Sequence, residues 1–581
     1  MCGICASIGK GNQVESVLQG LKSLEYRGYD SSGIAYLKNK KINVLKSVGQ
    51  ISQLEKKITE KENSDIVIGH TRWATHGKVS EENSHPHLSY DKSVAVVHNG
   101  IVENFEILKK TFGEIKFSSQ TDTEVFSNLI AKEEGDSLEK LVSASKKVQG
   151  SFAVAVLFEK EKKIFCAKRK SPLYVGVREG QLMAASDISA FENKFDFFYI
   201  LEDDEFAILS KDKVEFFDSA CKKIEKECKK FEKTAFFDDF SAEKCFMRKE
   251  IAEQPIVLKR THFKYFSEKT ISAEIIAELK KYNNFHFVAC GTAYHSGLLG
   301  AEFLQRFAKK HCEVSVASEF RYGSQTISKK CLYVFVSQSG ETADTIACAH
   351  LVKEKGAKVM CVTNVPYSTL NNLADFVLPT FAGKEIAVAS TKAYVAQVFT
   401  MLILAYFVSG KDMGEPLKKF VLNFAVKPFP EDILKEVFSY SKIFFVGRGM
   451  DYVTSLEGAL KLKEIAYINC IGIAAGELKH GTLALVDDKT LVIVISTKES
   501  MREKVENNIQ EIKARGGKIL LLSQLAHNVD VEYKIDLKDY DENLMPIESI
   551  VYLQQLALCF ALEKGYDPDK PRNLAKSVTV E

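Results

Sequence analysis

Cys2 carries the most self-sufficient chemistry in the chain. It follows an initiator Met, and a small residue in second place is the kind exposed when Met is trimmed. Trimming gives one residue both a thiol and an α-amine of unperturbed pKa about 8. That amine acts as the base for its own thiol, with no separate histidine. His98-Asn99-Gly100 follows the apolar run SVAVV and offers a side-chain amide and a glycine N–H as oxyanion donors. Removing one such donor typically costs on the order of 3 kcal/mol of transition-state stabilisation. Arg72 and Asp122 have opposite signs, as two clamps on an amino-acid zwitterion require.

A second kind of chemistry starts after the apolar run CLYVFV. Ser337-Gln338-Ser339-Gly340-Glu341-Thr342 opens onto a predicted helix, Ala343 to Lys355. Hydroxyls and backbone N–H groups at a helix N-terminus form an anion site, and the same residues also make an ordinary capped helix start. No GxxxxGK[ST] run is present, so a monophosphate suits the loop better than a nucleoside triphosphate. Gly447-Arg448-Gly449 begins like a dinucleotide fingerprint, but Tyr452 stands where the third glycine belongs. Glu457, Lys461 and Glu464 fall at i, i+4 and i+7, on one face of a predicted helix. That pattern reads either as a surface ion ladder or, beside the acid, base and histidine of Gly476-Glu477-Leu478-Lys479-His480-Gly481, as proton-moving groups.

The elements that must position these groups divide the chain by pattern. Residues 1 to about 220 hold short β-rich segments with turn punctuation, predicting packed antiparallel sheets with helices at Val14–Leu24 and Asp122–Ala131. Cys221 to Lys233 is a charged stretch, an exposed strand or a linker. From about 240, strand, glycine turn and long helix repeat. FHFVACGTAYHSG matches IFFVGRGMDYVTS, and two further segments match in the same order. Gly291 and Gly447, Ser337 and Ser496, Gly356 and Gly516 lie 156, 159 and 160 residues apart. The second half is therefore two copies of one parallel α/β domain, with ligands expected at the carboxyl ends of the strands. The second copy has Ser496-Thr497-Lys498-Glu499-Ser500 without the loop glycine, so one phosphate site, on the first copy, is expected.

Composition sets the remaining bounds. The 581 residues suggest three or four domains, and 45% hydrophobic with 27% charged residues is globular. Seventy-nine basic residues against 77 acidic give no footprint for nucleic acid or an acidic membrane. Thirteen scattered cysteines, without metal-ligand pairing, read as reduced thiols in the cytoplasm. No metal or cofactor is expected. Ala393 to Gly410 is 18 residues without a charge, read as a buried helix because it holds Gln397 and Thr400 and has no partner span.

MCGI, LEYRGYDSSG, HTRWATHG, HNGIVEN and SSQTDTE resemble the class II glutamine amidotransferase domain. ACGTAYHSG, SQSGETADT, ASTKAY, EGALKLKEI, GELKHG and KPRNLAKSVTVE resemble paired sugar-isomerase (SIS) domains. In this order over essentially the whole chain they resemble the family of isomerizing glutamine–fructose-6-phosphate aminotransferases. The resemblance implies an N-terminal nucleophile-type αββα sandwich over 2–220 and a linker over 221–250. Two doubly wound parallel α/β domains follow, over 251–425 and 426–565, then a catalytic tail over 566–581. It implies L-glutamine and D-fructose 6-phosphate as substrates, at the first step of hexosamine biosynthesis. Cys2 would form the glutamyl thioester, Asn99 and Gly100 would hold the oxyanion, and Arg72, Thr75, His76 and Asp122 the glutamine. Trp73 would gate an ammonia tunnel, and Arg27 would belong to a loop closing over glutamine. Ser337, Gln338, Ser339 and Thr342 would bind the sugar phosphate, with Thr292, Val388 and Ser390 lining the sugar site. Lys576 would form an imine with the open-chain ketose and Glu464 would move the proton between C1 and C2. His480, supported by Glu457 and Lys461, would open the ring from the neighbouring subunit of a homodimer.

Two departures from the family pattern stand out: Ala293 in place of a serine, and Lys244 in place of a histidine before FMRKEI. A phosphoribosyl-transferring amidotransferase would need an acidic pair followed by Gly-Thr-Thr, and an asparagine synthetase an SGG-x-DS loop; neither occurs. A sugar-phosphate sensor with decayed catalysis would have lost Cys2, Glu464 or Lys576, and all three are present.

Overall fold

The computed structural model describes residues 2–74, 76–113, 115–191, 194–231 and 245–579; Thr75 and Lys244 lie outside the described residues. The chain divides into two compact units, 1–237 with 575–581, and 238–574.

The first unit is built on two antiparallel sheets of eight and seven strands. In the larger, Gly3–Gly9 lies between Gln181–Ala185 and Ile66–Arg72. In the smaller, Val94–Val102 pairs with Gly150–Phe158 over nine residues. Side-chain alternation sorts the faces. Ile4, Ala6 and Ile8 pack on Ala95, Val97, Ala153 and Ala155 between the sheets. Val94, Val96, Val154 and Val156 turn outward to Val125, Phe126, Leu129 and Leu141. Those partners sit on helices Asp122–Lys132 and Ser137–Lys147, while Val17 and Leu21 of helix Gln13–Leu24 lie against Gly69 on the opposite sheet. The result is the four-layered αββα arrangement. The charged stretch after 220 adds short edge strands at Lys223–Ile224 and Lys229–Lys230, so this unit's sheets run past residue 220.

The second unit holds two five-stranded parallel sheets. The first runs His311–Val316, Asn284–Ala289, Cys331–Ser337, Lys358–Thr363, Phe376–Pro379. The second runs Ile471–Ala474, Lys442–Gly447, Thr490–Ile495, Lys518–Ser523, Tyr533–Asp536. The spatial order is the same in both, as the repeat predicts. Their central strands are continuous apolar runs, because helices cover both faces. One apolar core takes in residues of both sheets and of helices Lys392–Ser409 and Met545–Glu563. Both helices are long and apolar enough to cross a membrane, yet 89% and 83% of their most apolar windows are buried. The second corrects the expectation of a lone apolar stretch. Glu548 and Gln554 break its sequence into shorter runs, but the three-dimensional core covers it all the same.

Candidate functional site

In the first unit the start of the chain enters the centre of a sheet, which places Cys2 at the end of a buried strand. Cys2, Arg72, Trp73, His76, Gly100 and Asp122 line one pocket, together with His85, His98, Thr121 and Thr123. The Trp73 N–H donates to the Cys2 sulfur at 3.3 Å, and the Asn99 amide donates to the Cys2 carbonyl at 3.0 Å. Burial pushes the Cys2 thiol up, opposed by the Trp73 N–H and Arg72. Asp122 is fixed by the Val102 N–H at 2.8 Å, and Arg72 by the carbonyls of His76 and Lys78. Gly100 has φ +134°, and a Cβ there would stand 2.0 Å from the Ser151 carbonyl, so only glycine keeps its N–H in place. Trp73 packs edge-on against Tyr29 at 5.6 Å. Arg27 is buried in a short 3-10 turn and ion-paired to Asp187 at 2.8 Å.

Sequence reasoning gave no role to the histidines in and around this pocket. His70, His85, His87 and His98 are all buried, with His70 stacked on His85 at 4.0 Å and His85 edge-on to His87 at 4.8 Å. Burial lowers the pKa of each, so the cluster is neutral. The signal was present in the spacing of HTR, SHPH and HNG on facing segments, but no periodicity ties three such segments together.

In the second unit the loop after strand Cys331–Ser337 is pre-shaped. Ser337 Oγ accepts from the Gly340 N–H at 3.0 Å and meets Thr342 Oγ1 at 2.9 Å. Gly340 has φ +68°, and a Cβ would lie 2.0 Å from Ser368 Oγ. Glu341 accepts from Thr369 N and Oγ1, both at 2.8 Å, and Gln338, Ser339 and Thr342 are half-buried. Helix Ala343–Glu354 begins directly behind. Ser390 donates to Glu385 at 2.9 Å, and the Val388 N–H to the Asp569 carbonyl at 3.2 Å.

Glu457, Lys461 and Glu464 do share one face of helix Met450–Ala466, and it is not a surface ladder. Glu457 and Lys461 are fully buried, with Lys461 3.3 Å from Glu457 and 2.7 Å from Glu464. Thr292 Oγ1 donates to Glu457 at 3.0 Å and accepts from Lys461 at 3.1 Å. His295 Nδ1 meets the other Glu457 oxygen at 2.6 Å. Burial would raise Glu457, but Lys461, His295 and Thr292 bring it below the ordinary carboxylate value. The same two glutamates overcome burial to raise Lys461. His295 was missed, although it falls three residues after Thr292 and hence on the same helical face. His480 stands apart: it is exposed at the end of the 3-10 turn Ala475–His480 and makes no hydrogen bond or ion pair among the described residues. Lys576 lies half-buried in the irregular tail grouped with the first unit. No cluster of three metal-ligating side chains occurs among the described residues.

A model of the glutamine amidotransferase domain matches residues 70–193, and a model of the SIS domain matches 278–407 and again 436–558. Fold and site thus define a class, a glutamine amidotransferase joined to two SIS domains. The proteins named glutamine–fructose-6-phosphate aminotransferase (isomerizing) from Clostridium tetani and Caldanaerobacter subterraneus are each 43% identical to this chain, with all of both chains covered. The C-terminal domain of the Francisella tularensis glucosamine-fructose-6-phosphate aminotransferase matches 57% of this chain and 100% of its own. Its TM-score is 0.53 and its identity 33%. The chain belongs to the isomerizing glutamine–fructose-6-phosphate aminotransferase family.

Proposed function

We propose that this chain converts L-glutamine and D-fructose 6-phosphate to L-glutamate and D-glucosamine 6-phosphate. The observation that carries the reading is the pairing of two half-sites in one chain. The first is a half-buried thiol beside an amide donor. The second is a buried Lys461 held between two glutamates.

With Met1 removed, the Cys2 amine takes the thiol proton and the sulfur attacks the glutamine side-chain carbonyl. Asn99 and the Gly100 N–H receive the charge on oxygen. The C–N bond breaks, ammonia leaves with the transferred proton, and water hydrolyses the thioester to glutamate. Arg72 pairs with the substrate α-carboxylate and Asp122 with its ammonium; His76 and Trp73 complete the pocket, and Trp73 gates the departure of ammonia. Arg27 anchors the turn that covers glutamine.

In the second half-site the phosphate sits on Ser337, Gln338, Ser339 and Thr342, with Thr292, Val388 and Ser390 along the sugar. His480 of a second copy opens the ring, and its exposure here supports a homodimer. Lys576 forms an imine at C2 with loss of water, and ammonia displaces the lysine to leave an imine of ammonia. Glu464 carries the proton from C1 to C2 while the C1 hydroxyl proton passes to nitrogen, Glu457 and Lys461 holding Glu464 in place. The step is an internal redox isomerisation and needs no external oxidant. The thirteen cysteines are all free thiols, which supports a cytoplasmic setting.

The test is glucosamine-6-phosphate formation on protein whose N-terminus has been verified by mass. Wild type should form the product, and Cys2→Ala should lose all glutamine-dependent synthesis. Removing residues 572–581 should abolish synthesis and spare some glutamine hydrolysis. Hydrolysis without amino sugar in the intact protein would overturn the choice of acceptor.

A further inference from the structure

We infer that His70 is a positioning residue for the amide chemistry: its Nε2–H fixes which edge of the Asn99 carboxamide faces Cys2. The inference rests on the reading of Asn99 as an oxyanion donor and goes beyond it to ask what orients that donor. An asparagine amide has a donor edge and an acceptor edge of nearly the same shape, and only the donor edge stabilises a developing oxyanion. Something must therefore decide between the two orientations.

The contacts decide it in three steps. His70 Nε2 lies 2.9 Å from the His98 carbonyl oxygen, which can only accept, so Nε2 must carry the proton. The same Nε2 lies 3.1 Å from Asn99 Oδ1, so the Asn99 atom on that side must be an acceptor. The Nδ2 group is thereby turned to the other side, where it donates to the Cys2 carbonyl at 3.0 Å. A rotated amide would set oxygen against the Cys2 carbonyl oxygen and N–H against the His70 N–H. Both would be buried repulsions, each forfeiting a hydrogen bond as well. Nδ2 has two hydrogens; one is held by Cys2, and the second is free to meet the oxygen of a bound amide.

The rest of His70 suits this task. Its Nδ1 has no hydrogen-bond partner, and the ring stacks on His85. His70 is fully buried, and burial drops its pKa to about 3, so the ring stays a neutral single donor rather than an imidazolium. His98 supplies the carbonyl that selects the tautomer and sits next to Asn99 on strand Val94–Val102. Selector and target are thus adjacent in sequence, and His70 reaches them from the strand Ile66–Arg72.

The experiment is a double-substitution cycle on the full-length, N-terminally processed protein, reading glutamine hydrolysis. His70→Leu should lower kcat on the order of 100-fold with KM for glutamine within about twofold, the pattern of an interaction realised in the transition state. In an Asn99→Ala background the same substitution should cost less than about twofold, because its target is gone. If Asn99→Ala alone leaves kcat intact, the oxyanion reading fails. If Asn99→Ala is impaired while His70→Leu is not, or if the two losses multiply in full, the positioning role is wrong and the oxyanion reading stands. Should His70→Leu fail to fold, ring-nitrogen shifts of ¹⁵N-histidine in unsubstituted protein decide. A neutral Nε2–H tautomer from about pH 5.5 to 8.5 is expected, and an Nδ1–H tautomer or a charged ring would overturn the proposal.

Discussion

The two parallel sheets of the second unit share a strand order but have divided their work. The first carries the glycine-turned loop Ser337–Thr342 at its central strand. The second carries a serine-threonine turn at the same place and fills it from within: Asp451 accepts from Thr497 N at 2.8 Å and Oγ1 at 2.6 Å. By the register that pairs Gly291 with Gly447, Asp451 stands where the first copy has His295. A built-in carboxylate thus takes up donors of the second loop that would otherwise meet a phosphate, and its charge repels an anion. Conversely, the helix following the first strand in the second copy bears Glu457, Lys461 and Glu464, while the matching helix of the first copy has Ala301, Gln305 and Ala308 there. In the proposed reaction one copy binds the anion and the other supplies acid and base, and the two meet where Thr292 and His295 contact Glu457.

This division can be broken from either side. The largest effect is expected for Lys461→Met, which takes the lysine cation away from the buried Glu457 and leaves it only Thr292 and His295. Synthesis should fall on the order of 1,000-fold and folding stability by about 3–5 kcal/mol, read by product formation and thermal melting, with glutamine hydrolysis retained. Next comes Asp451. Burial raises its pKa from 3.8 to about 6, so its contribution to stability is full below about pH 4 and is lost as pH rises through 6. Asp451→Asn should remove that slope, roughly 3 kcal/mol between pH 4 and 7, seen as a flatter plot of melting temperature against pH. A smaller contrast separates the loops: Thr342→Val should raise KM for fructose 6-phosphate about tenfold, whereas Thr497→Val should leave it unchanged. If Thr497→Val raised KM equally, the second loop would be a phosphate site too. The smallest effect belongs to Ala293→Ser, which returns a hydroxyl to the start of the first copy's helix and should lower KM by no more than about threefold.

Much of the frame was legible in the chain because backbone needs leave marks. Gly356 and Gly516, spaced like the other landmarks, both take positive φ, 74° and 86°, in turns after equivalent helices. The helices predicted at Val14–Leu24 and Asp122–Ala131 are found at Gln13–Leu24 and Asp122–Lys132. Asn99 and Cys2, 97 residues apart, do meet. Burial was harder to read, since a trio of charges at helical spacing has the same sequence on a surface as in a core. Nothing along Glu457, Lys461 and Glu464 announces that another helix covers them. His70 was invisible for a related reason, its role being set by a carbonyl and an amide on a different strand. The exposure of His480 likewise gives no sign of its use within a single copy.

The common apolar core of the two sheets has a consequence for how the molecule comes apart. Helices Lys392–Ser409 and Met545–Glu563 contribute to the same packed interior, so when one repeat melts the other loses that shared core and keeps only the smaller apolar cluster on the far face of its own sheet. The halves are therefore thermodynamically coupled. Heat or denaturant should dissolve residues 245–574 in one cooperative transition, and a protease cutting between the repeats should yield no stable fragment of either.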